Sequence, residues 1–188
     1  MRVLETKRLI VRHMEMSDVT ALASVFGDPD VMRFGDGVKT NEWVREWLRQ
    51  CIEDVEPNIG VAPWAVDEKH DSQTIGYCGL FYFPDIRGQS EIEIGYRLAR
   101  DYWGRGLATE AVCAIRDYAF YMLKIPRLIA MIDPHNTASI NVAEKAGFVY
   151  EKDVLLQGFT HADRIYANVR PEDARQGTSA SSQPASGI

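Results

Sequence analysis

Ten residues past the middle of this 188-residue chain, Tyr-Trp-Gly-Arg-Gly-Leu-Ala-Thr-Glu-Ala at 102–111, constrain its fold more than any others. They follow a strand-like alternation over residues 91–98 and open a helix-like pattern over residues 106–123. Two glycines on either side of Arg105 let the backbone approach a ligand without interference from Cβ. The unpaired N–H groups of the first helical turn then point at whatever sits there, and the helix dipole favours an anion. Such a turn suits a phosphate or a pyrophosphate. A glycine-rich turn with no ligand is the alternative.

Two common phosphate loops do not fit. A Walker loop ends in Gly-Lys-Ser/Thr, and no such triplet occurs. A Rossmann fingerprint needs a third glycine where Thr109 stands, within an early βαβ unit.

The chain is long enough for one domain with a sizeable core. Composition is 46% apolar and 26% charged, which excludes disorder overall. No apolar run approaches the roughly 18 residues that span a bilayer, and residues 1–5 lack the apolar region of a signal peptide. No membrane partner is expected. Cys51, Cys78 and Cys113 are odd in number and far apart, as for reduced thiols in a cytoplasmic protein. His13, His70, His135 and His161 show no ligand spacing, so no metal is expected. The net charge of −6, without a basic patch, argues against a nucleic-acid partner and would steer a cationic acceptor inward. Arg97, Arg100 and Arg105 would give a polyanion local positive potential.

Periodicity predicts strands over residues 6–14, 62–67, 74–83, 91–98, 127–133, 148–156 and 164–169. It predicts a helix beginning at Ser17-Asp18 with Leu22, Val25 and Phe26 inward, broken at Gly27-Asp28-Pro29-Asp30. A second helix covers residues 41–55 behind Thr40 as N-cap, with Trp43, Val44, Trp47, Leu48, Cys51 and Ile52 along its apolar stripe. Residues 57–60 and 84–90 are expected to be a turn and a polar loop. The helix over residues 106–123 has Leu107, Ala111, Cys113, Ala114, Ile115, Tyr118 and Met122 on its apolar surface. A short helix over residues 137–146 ends at Gly147 as its C′ residue. Residues 1–170 are expected to form the domain, and the Ser/Ala/Gln/Gly/Pro-rich residues 171–188 a mobile tail.

Trp103-Gly104-Arg105-Gly106-Leu107-Ala108 resembles the last four positions of the GNAT acetyltransferase pyrophosphate loop, Gln/Arg-x-x-Gly-x-Gly/Ala, with Trp103 at the first. The longer string is similar to the ribosomal-protein-alanine N-acetyltransferase branch of that superfamily. The resemblance extends over about residues 4–170. Glu5 to Arg12 resembles the opening strand, Asp28 to Phe34 the linker between the first helices, and Ile75 to Leu80 the third strand. Glu93-Ile94-Gly95-Tyr96 leads into the loop, and Asn136-Thr137-Ala138-Ser139 with Glu144 to Phe148 resembles a second cofactor segment.

The resemblance implies an α/β GNAT fold: a mixed, mostly antiparallel sheet of six to seven strands, splayed at the cofactor cleft, with about four flanking helices. It implies acetyl-CoA as donor, a primary amine as acceptor, and direct transfer without an acyl-enzyme; dimers occur in the family. Backbone groups of Tyr96, Arg97 and Leu98 would bind pantetheine. Trp103, Gly104, Arg105, Gly106, Leu107, Ala108 and Thr109 would form the pyrophosphate loop, and Asn136 would bond pantetheine or simply cap its helix. Glu93 is the candidate general base, with Glu91 on the same strand face as rival. Ala143 stands where the family often has a tyrosine acid, so Ser139 is the candidate proton donor. Trp43 and Trp47 pack in the helix or wall the acceptor pocket. A non-catalytic acetyl-CoA-binding regulatory module and a nucleotide-binding α/β domain are the alternatives.

Overall fold

The computed structural model describes residues 1–156 and 161–173. In them alternating side chains build eight strands: β1 (Arg2–Glu5), β2 (Leu9–Arg12), β3 (Pro63–Glu68), β4 (Gln73–Ile86), β5 (Gln89–Leu98), β6 (Arg127–Ile132), β7 (Val149–Val154) and β8 (Asp163–Val169). They form one sheet in the order β1-β2-β3-β4-β5-β6-β8-β7. Every pairing is antiparallel except β5 with β6. The eighth strand, beyond the expected six to seven, is β1. The Thr6 hydroxyl accepts from the Leu9 N–H at 2.9 Å, closing a turn where the alternation suggests one continuous strand.

Among the described residues, α-helices flank the sheet: α1 (Val19–Phe26), α2 (Asn41–Gln50), α3 (Glu56–Ile59), α4 (Leu107–Tyr121) and α5 (Thr137–Lys145). Leu22, Val25 and Phe26 are buried as the periodicity predicts. Thr40 caps α2 by accepting from the Trp43 N–H at 3.2 Å. The core lies in two layers. On one face of the sheet, Met14, Leu22, Phe26, Val44 and Leu48 pack over Ala65 and Tyr77. On the other, Leu107, Ala111, Ile115 and Ala119 of α4 pack over Val11, Val66, Leu80 and Leu98. Each large side chain removed from water in this way contributes about 1.5–3 kcal/mol.

Three local expectations are corrected. The second helix does not run as one α-helix to Val55, nor are residues 57–60 only a turn. After Gln50 the chain widens into a π-helical turn at Cys51–Val55 and continues as α3 through Pro57. The wider turn makes room for a proline ring that would press on the carbonyl four residues back. Residues 84–90 are not a loop. β4 and β5 continue to a two-residue hairpin turn at Arg87-Gly88, both in the left-handed region (φ 53° and 92°), with the register shift falling between Phe83 and Ile86 around Pro84. Met122 is 69% exposed rather than on the apolar face, because α4 ends at Tyr121. Gly147 does end α5, donating to the Glu144 carbonyl at 3.0 Å. Residues 171–173 form a further helical turn, and residues 174–188, where the tail is expected, lie outside the described residues.

Candidate active site

β5 and β6 run parallel but share one residue pair, Glu93 with Ile129. Beyond that pair β5 stays bonded to β4 while its other edge, from Ile94 to Leu98, has no strand partner among the described residues. The strands therefore splay, and a cavity of about 870 Å³ opens between them. Apart from Arg105, every site residue expected from the sequence borders it, Glu93 and Ser139 included. Trp43 and Trp47 line its other end.

The glycine loop has the geometry its sequence demands. Gly104 and Gly106 take φ of 71° and 75°, a region where a side chain is strained. Gly106 is the N-cap of α4, and the first intrahelical bond runs from the Glu110 N–H to its carbonyl at 3.1 Å. The N–H groups of Leu107, Ala108 and Thr109 precede that bond and face the cavity end of the helix. The turn between β1 and β2 clamps the loop from outside. Arg8 donates to the Arg105 carbonyl at 2.7 Å and to Glu110 at 2.7 Å, while Thr6 donates to Glu110 at 2.6 Å. The indole of Trp103 donates to the Leu98 carbonyl at 2.8 Å, tying the loop to the end of β5.

The three neighbouring arginines do not act as one patch. Arg105 bonds Glu68 and lies over the Tyr102 ring, so its side chain stays outside the cavity. Arg100 pairs with Asp30 at 2.7 Å and Asp28 at 3.6 Å. Arg97 donates to the Tyr77 hydroxyl at 2.6 Å on the α1 side of the sheet, opposite α4. Only the backbone of Arg97 faces the splayed edge.

At the first turn of α5, the Asn136 side-chain oxygen caps the helix by accepting from the Ser139 N–H at 3.1 Å. Its amide nitrogen bonds nothing among the described residues. Ser139 Oγ accepts from the Tyr96 hydroxyl at 3.1 Å. Burial pushes the Tyr96 phenol up to about 12, so it stays protonated. Sequence offers no signal for this pair, whose members lie 43 residues apart. Ala143 is buried in α5 and carries no hydroxyl.

The two rival carboxylates separate clearly. Glu91 is held by Arg127, which it shares with Glu151, and by Gln89. Glu93 faces the cavity across the splay and accepts from the Met131 N–H at 3.1 Å. Burial pushes its carboxyl up to about 7, against the opposing pull of that bond and of the Arg97 charge, with Asp163 adding to the rise.

Beyond Glu93 the cavity is walled by Phe26, Trp43, Trp47, Tyr77 and Phe81. Tyr77 stacks on Phe26 with centroids 5.6 Å apart, and Trp43 stacks on Trp47 at 6.2 Å. On the β8 side, His161 lies 3.1 Å from Asp133 and 3.6 Å from Asp163. The ligand atoms of these three residues fall within 4.8 Å of one another, a grouping the scattered histidines do not reveal in sequence. Among the described residues, no helix is long and apolar enough to cross a membrane.

The profile of the acetyltransferase (GNAT) domain family matches residues 8–149. The Bacillus subtilis protein YkkB, itself uncharacterised, is 40% identical over 152 residues, covering 80% of this chain and 87% of that one. The uncharacterised N-acetyltransferase p20 of Bacillus licheniformis is 32% identical over 86% of this chain and 89% of its own length. The crystal structure of a GNAT-family acetyltransferase from Bacillus anthracis matches with a TM-score of 0.74 at 28% identity, over 89% of this chain and 98% of that one. The matched span holds both the glycine loop and the splayed strands, and the chain belongs to the GNAT family of acyltransferase enzymes.

Proposed function

We propose that this enzyme moves the acetyl group of acetyl-CoA directly to a primary amine, with Glu93 as general base and Ser139, backed by Tyr96, as proton donor. The observation that carries the reading is their meeting in one cavity at the splay: a carboxyl with its pKa near 7, a hydroxyl pair, and an open helix N-terminus.

The residues fit the donor. The N–H groups of Gly106, Leu107, Ala108 and Thr109 suit its pyrophosphate. The strand edge from Ile94 to Leu98 and the Asn136 amide suit the pantetheine arm. Acetyl-CoA supplies the activated acyl carbon and a thiolate leaving group. Glu93 with a pKa near 7 is substantially ionised at neutral pH and takes a proton from the incoming ammonium. The freed amine forms an N–C bond as the C–S bond breaks; the departing sulfur takes a proton from Ser139, and the second proton shed by the new amide nitrogen restores the serine hydroxyl. Backbone N–H groups near Ile94 to Tyr96 suit the transient oxyanion. Glu91 fits the base role less well, because Arg127 holds it in an ion pair.

The Trp103-Gly104-Arg105-Gly106 string supports the ribosomal-protein-alanine branch, with a protein N-terminus or a small-molecule amine as acceptor. Cys51, Cys78 and Cys113 are thiols rather than disulfides, which supports a cytoplasmic setting. Ala143, which has no hydroxyl where the resemblance leads one to expect a tyrosine acid, favours the second reading, a non-catalytic acetyl-CoA-binding module. An amine panel incubated with acetyl-CoA separates the two. Release of CoA with an N-acetylated product is expected, and acetyl-CoA binding without release on any amine would leave the module.

A further inference from the structure

Arg97 stands two alternations beyond Glu93 on the same face of β5. Its Nη1 donates to the Tyr77 hydroxyl at 2.6 Å, and its guanidinium lies 5.8 Å from the centre of the Phe26 ring. The loop between α1 and α2 covers it. A Cβ on Gly35 would come within 2.7 Å of Arg97 Nη2, and Gly35 is outside the left-handed region, so glycine there leaves room for the guanidinium rather than easing the backbone.

Among the described half-buried arginines only Arg97 and Arg164 form no ion pair, and of the two only Arg97 borders the cavity. Arg12 pairs with Asp18 and Asp67, Arg100 with Asp30, Arg105 with Glu68 and Arg127 with Glu91. Arg97 has no carboxylate within 4 Å among the described residues. The acids of the covering loop form their ion pairs elsewhere, Asp36 with Lys39 at 2.7 Å and Asp30 with Arg100, and Asp36 feels the Arg97 charge only at longer range. Among the described residues no buried side-chain nitrogen lacks a partner. Arg97 Nε and Nη2 form no hydrogen bond among the described residues and so are not fully buried, and Arg97 borders the cavity. A half-buried guanidinium with one hydrogen-bond partner and no ion pair gains from an added anion, and its forked donors match a carboxylate.

We infer that Arg97 is the anion subsite of the acceptor pocket, and that the acceptor is an amine that also carries a carboxylate, an amino acid or short peptide, rather than a polyamine. The inference rests on the reading of the cavity as an amine-acetylating site. Glu93 and Arg97 then receive the two charged groups of one zwitterion. Their Cα atoms are about 13 Å apart along the strand, and both residues border the cavity. The ammonium lies at Glu93, the carboxylate at Arg97, and the apolar body along Tyr77, Phe81 and Trp47. A second cation near Arg97 would be repelled.

The test compares each acceptor with its own amide: phenylalanine with phenylalaninamide, alanyl-phenylalanine with its amide, and spermidine as the polycation. The amides of the amino acids carry the less basic amine and are intrinsically the easier substrates. Even so, kcat/KM is expected to favour the free acids by about tenfold or more, the range of a charge-assisted hydrogen bond. Arg97→Gln is expected to bring that ratio close to one through KM for the acids, and Arg97→Lys to restore part of it. The ratio is read within each variant, so a general loss of activity does not move it. The same pairs are titrated against the fluorescence of the CoA-bound protein, which Trp43 and Trp47 report from the pocket wall. If no amine turns over but free acids still bind more tightly than amides in an Arg97-dependent way, the subsite stands and the transfer reading falls. Equal handling of acid and amide in both assays, a ratio unchanged in Arg97→Gln, or spermidine as the best acceptor overturns the inference.

Discussion

The Tyr96 hydroxyl donates to Ser139 Oγ across 3.1 Å, joining the splayed part of β5 to the first turn of α5. With that lone pair filled, Ser139 has its own proton to offer a sulfur in the cleft. Tyr96→Phe and Ser139→Ala are each expected to lower kcat by about tenfold, the modest end of acid catalysis because a thiolate is a good leaving group. The double variant is expected to be little worse than the poorer single one, since the two hydroxyls act as a unit. Steady-state kinetics of the three variants reads this, and fully additive losses would separate the two groups.

Glu93 links catalysis and stability through one pKa. In the wild type kcat/KM is expected to rise as pH passes about 7, and Glu93→Gln to lose that limb with a drop of about 10²–10⁴-fold. The folded-state value lies above the ordinary 4.5, so the native state binds more protons than the unfolded chain between about 4.5 and about 7. The stabilisation from protonated Glu93 is therefore complete below the unfolded value and is lost as pH rises through the folded one. Urea unfolding across that window is expected to show Glu93→Gln gaining on the wild type with rising pH. A difference that does not change with pH would place the raised pKa elsewhere.

Gly106 has φ of 75°, while a Cβ there would meet nothing closer than Arg8 Nη2 at 3.6 Å. The constraint is conformational rather than spatial. Gly106→Val is expected to turn the Leu107, Ala108 and Thr109 N–H groups away from their shared focus and to strain the cap by about 1–2 kcal/mol. The variant should fold yet show little of the thermal stabilisation that acetyl-CoA gives the wild type. A full ligand-induced shift in a folded variant would remove the loop from the binding site.

Away from the cavity, Arg12 binds Asp18 through two bonds of 2.7 and 2.9 Å and Asp67 at 2.6 Å. Asp18 is 4% exposed and also accepts the Glu15 N–H at 2.8 Å. Asp18→Ala strips both groups of a buried partner, and a loss of about 3–5 kcal/mol in equilibrium unfolding is expected. A loss below about 1 kcal/mol would mean that water or Asp67 replaces it.

Most of the fold is legible because its signals are local. Thr40 caps α2, Gly147 closes α5, and Leu22, Val25 and Phe26 turn inward as their spacing dictates. The failures are also local. Thr6 closes a hairpin inside an apparent strand, Pro57 sits within a helix behind a π-turn, and Arg87-Gly88 makes a tighter turn than its polar flanks suggest. Each depends on a backbone choice that tertiary pairing decides. The donor half of the site follows the same rule, since one contiguous loop carries it. The acceptor half does not. Alternation puts Glu91 and Glu93 on one face but cannot show that Arg127, 36 residues from Glu91, holds it. Tyr96 with Ser139, Arg97 with Tyr77, and His161 with Asp133 are meetings that the sheet order creates.

Direct transfer at the splay is tested most directly by rapid quench with acetyl-labelled acetyl-CoA, with and without an amine acceptor. Label is expected to pass to the amine in step with CoA release, with none on the protein when the acceptor is absent. Acetyl label bound covalently to the protein before acceptor is added, or acetyl-CoA held without release on any amine, would contradict a single-step transfer with Glu93 as base.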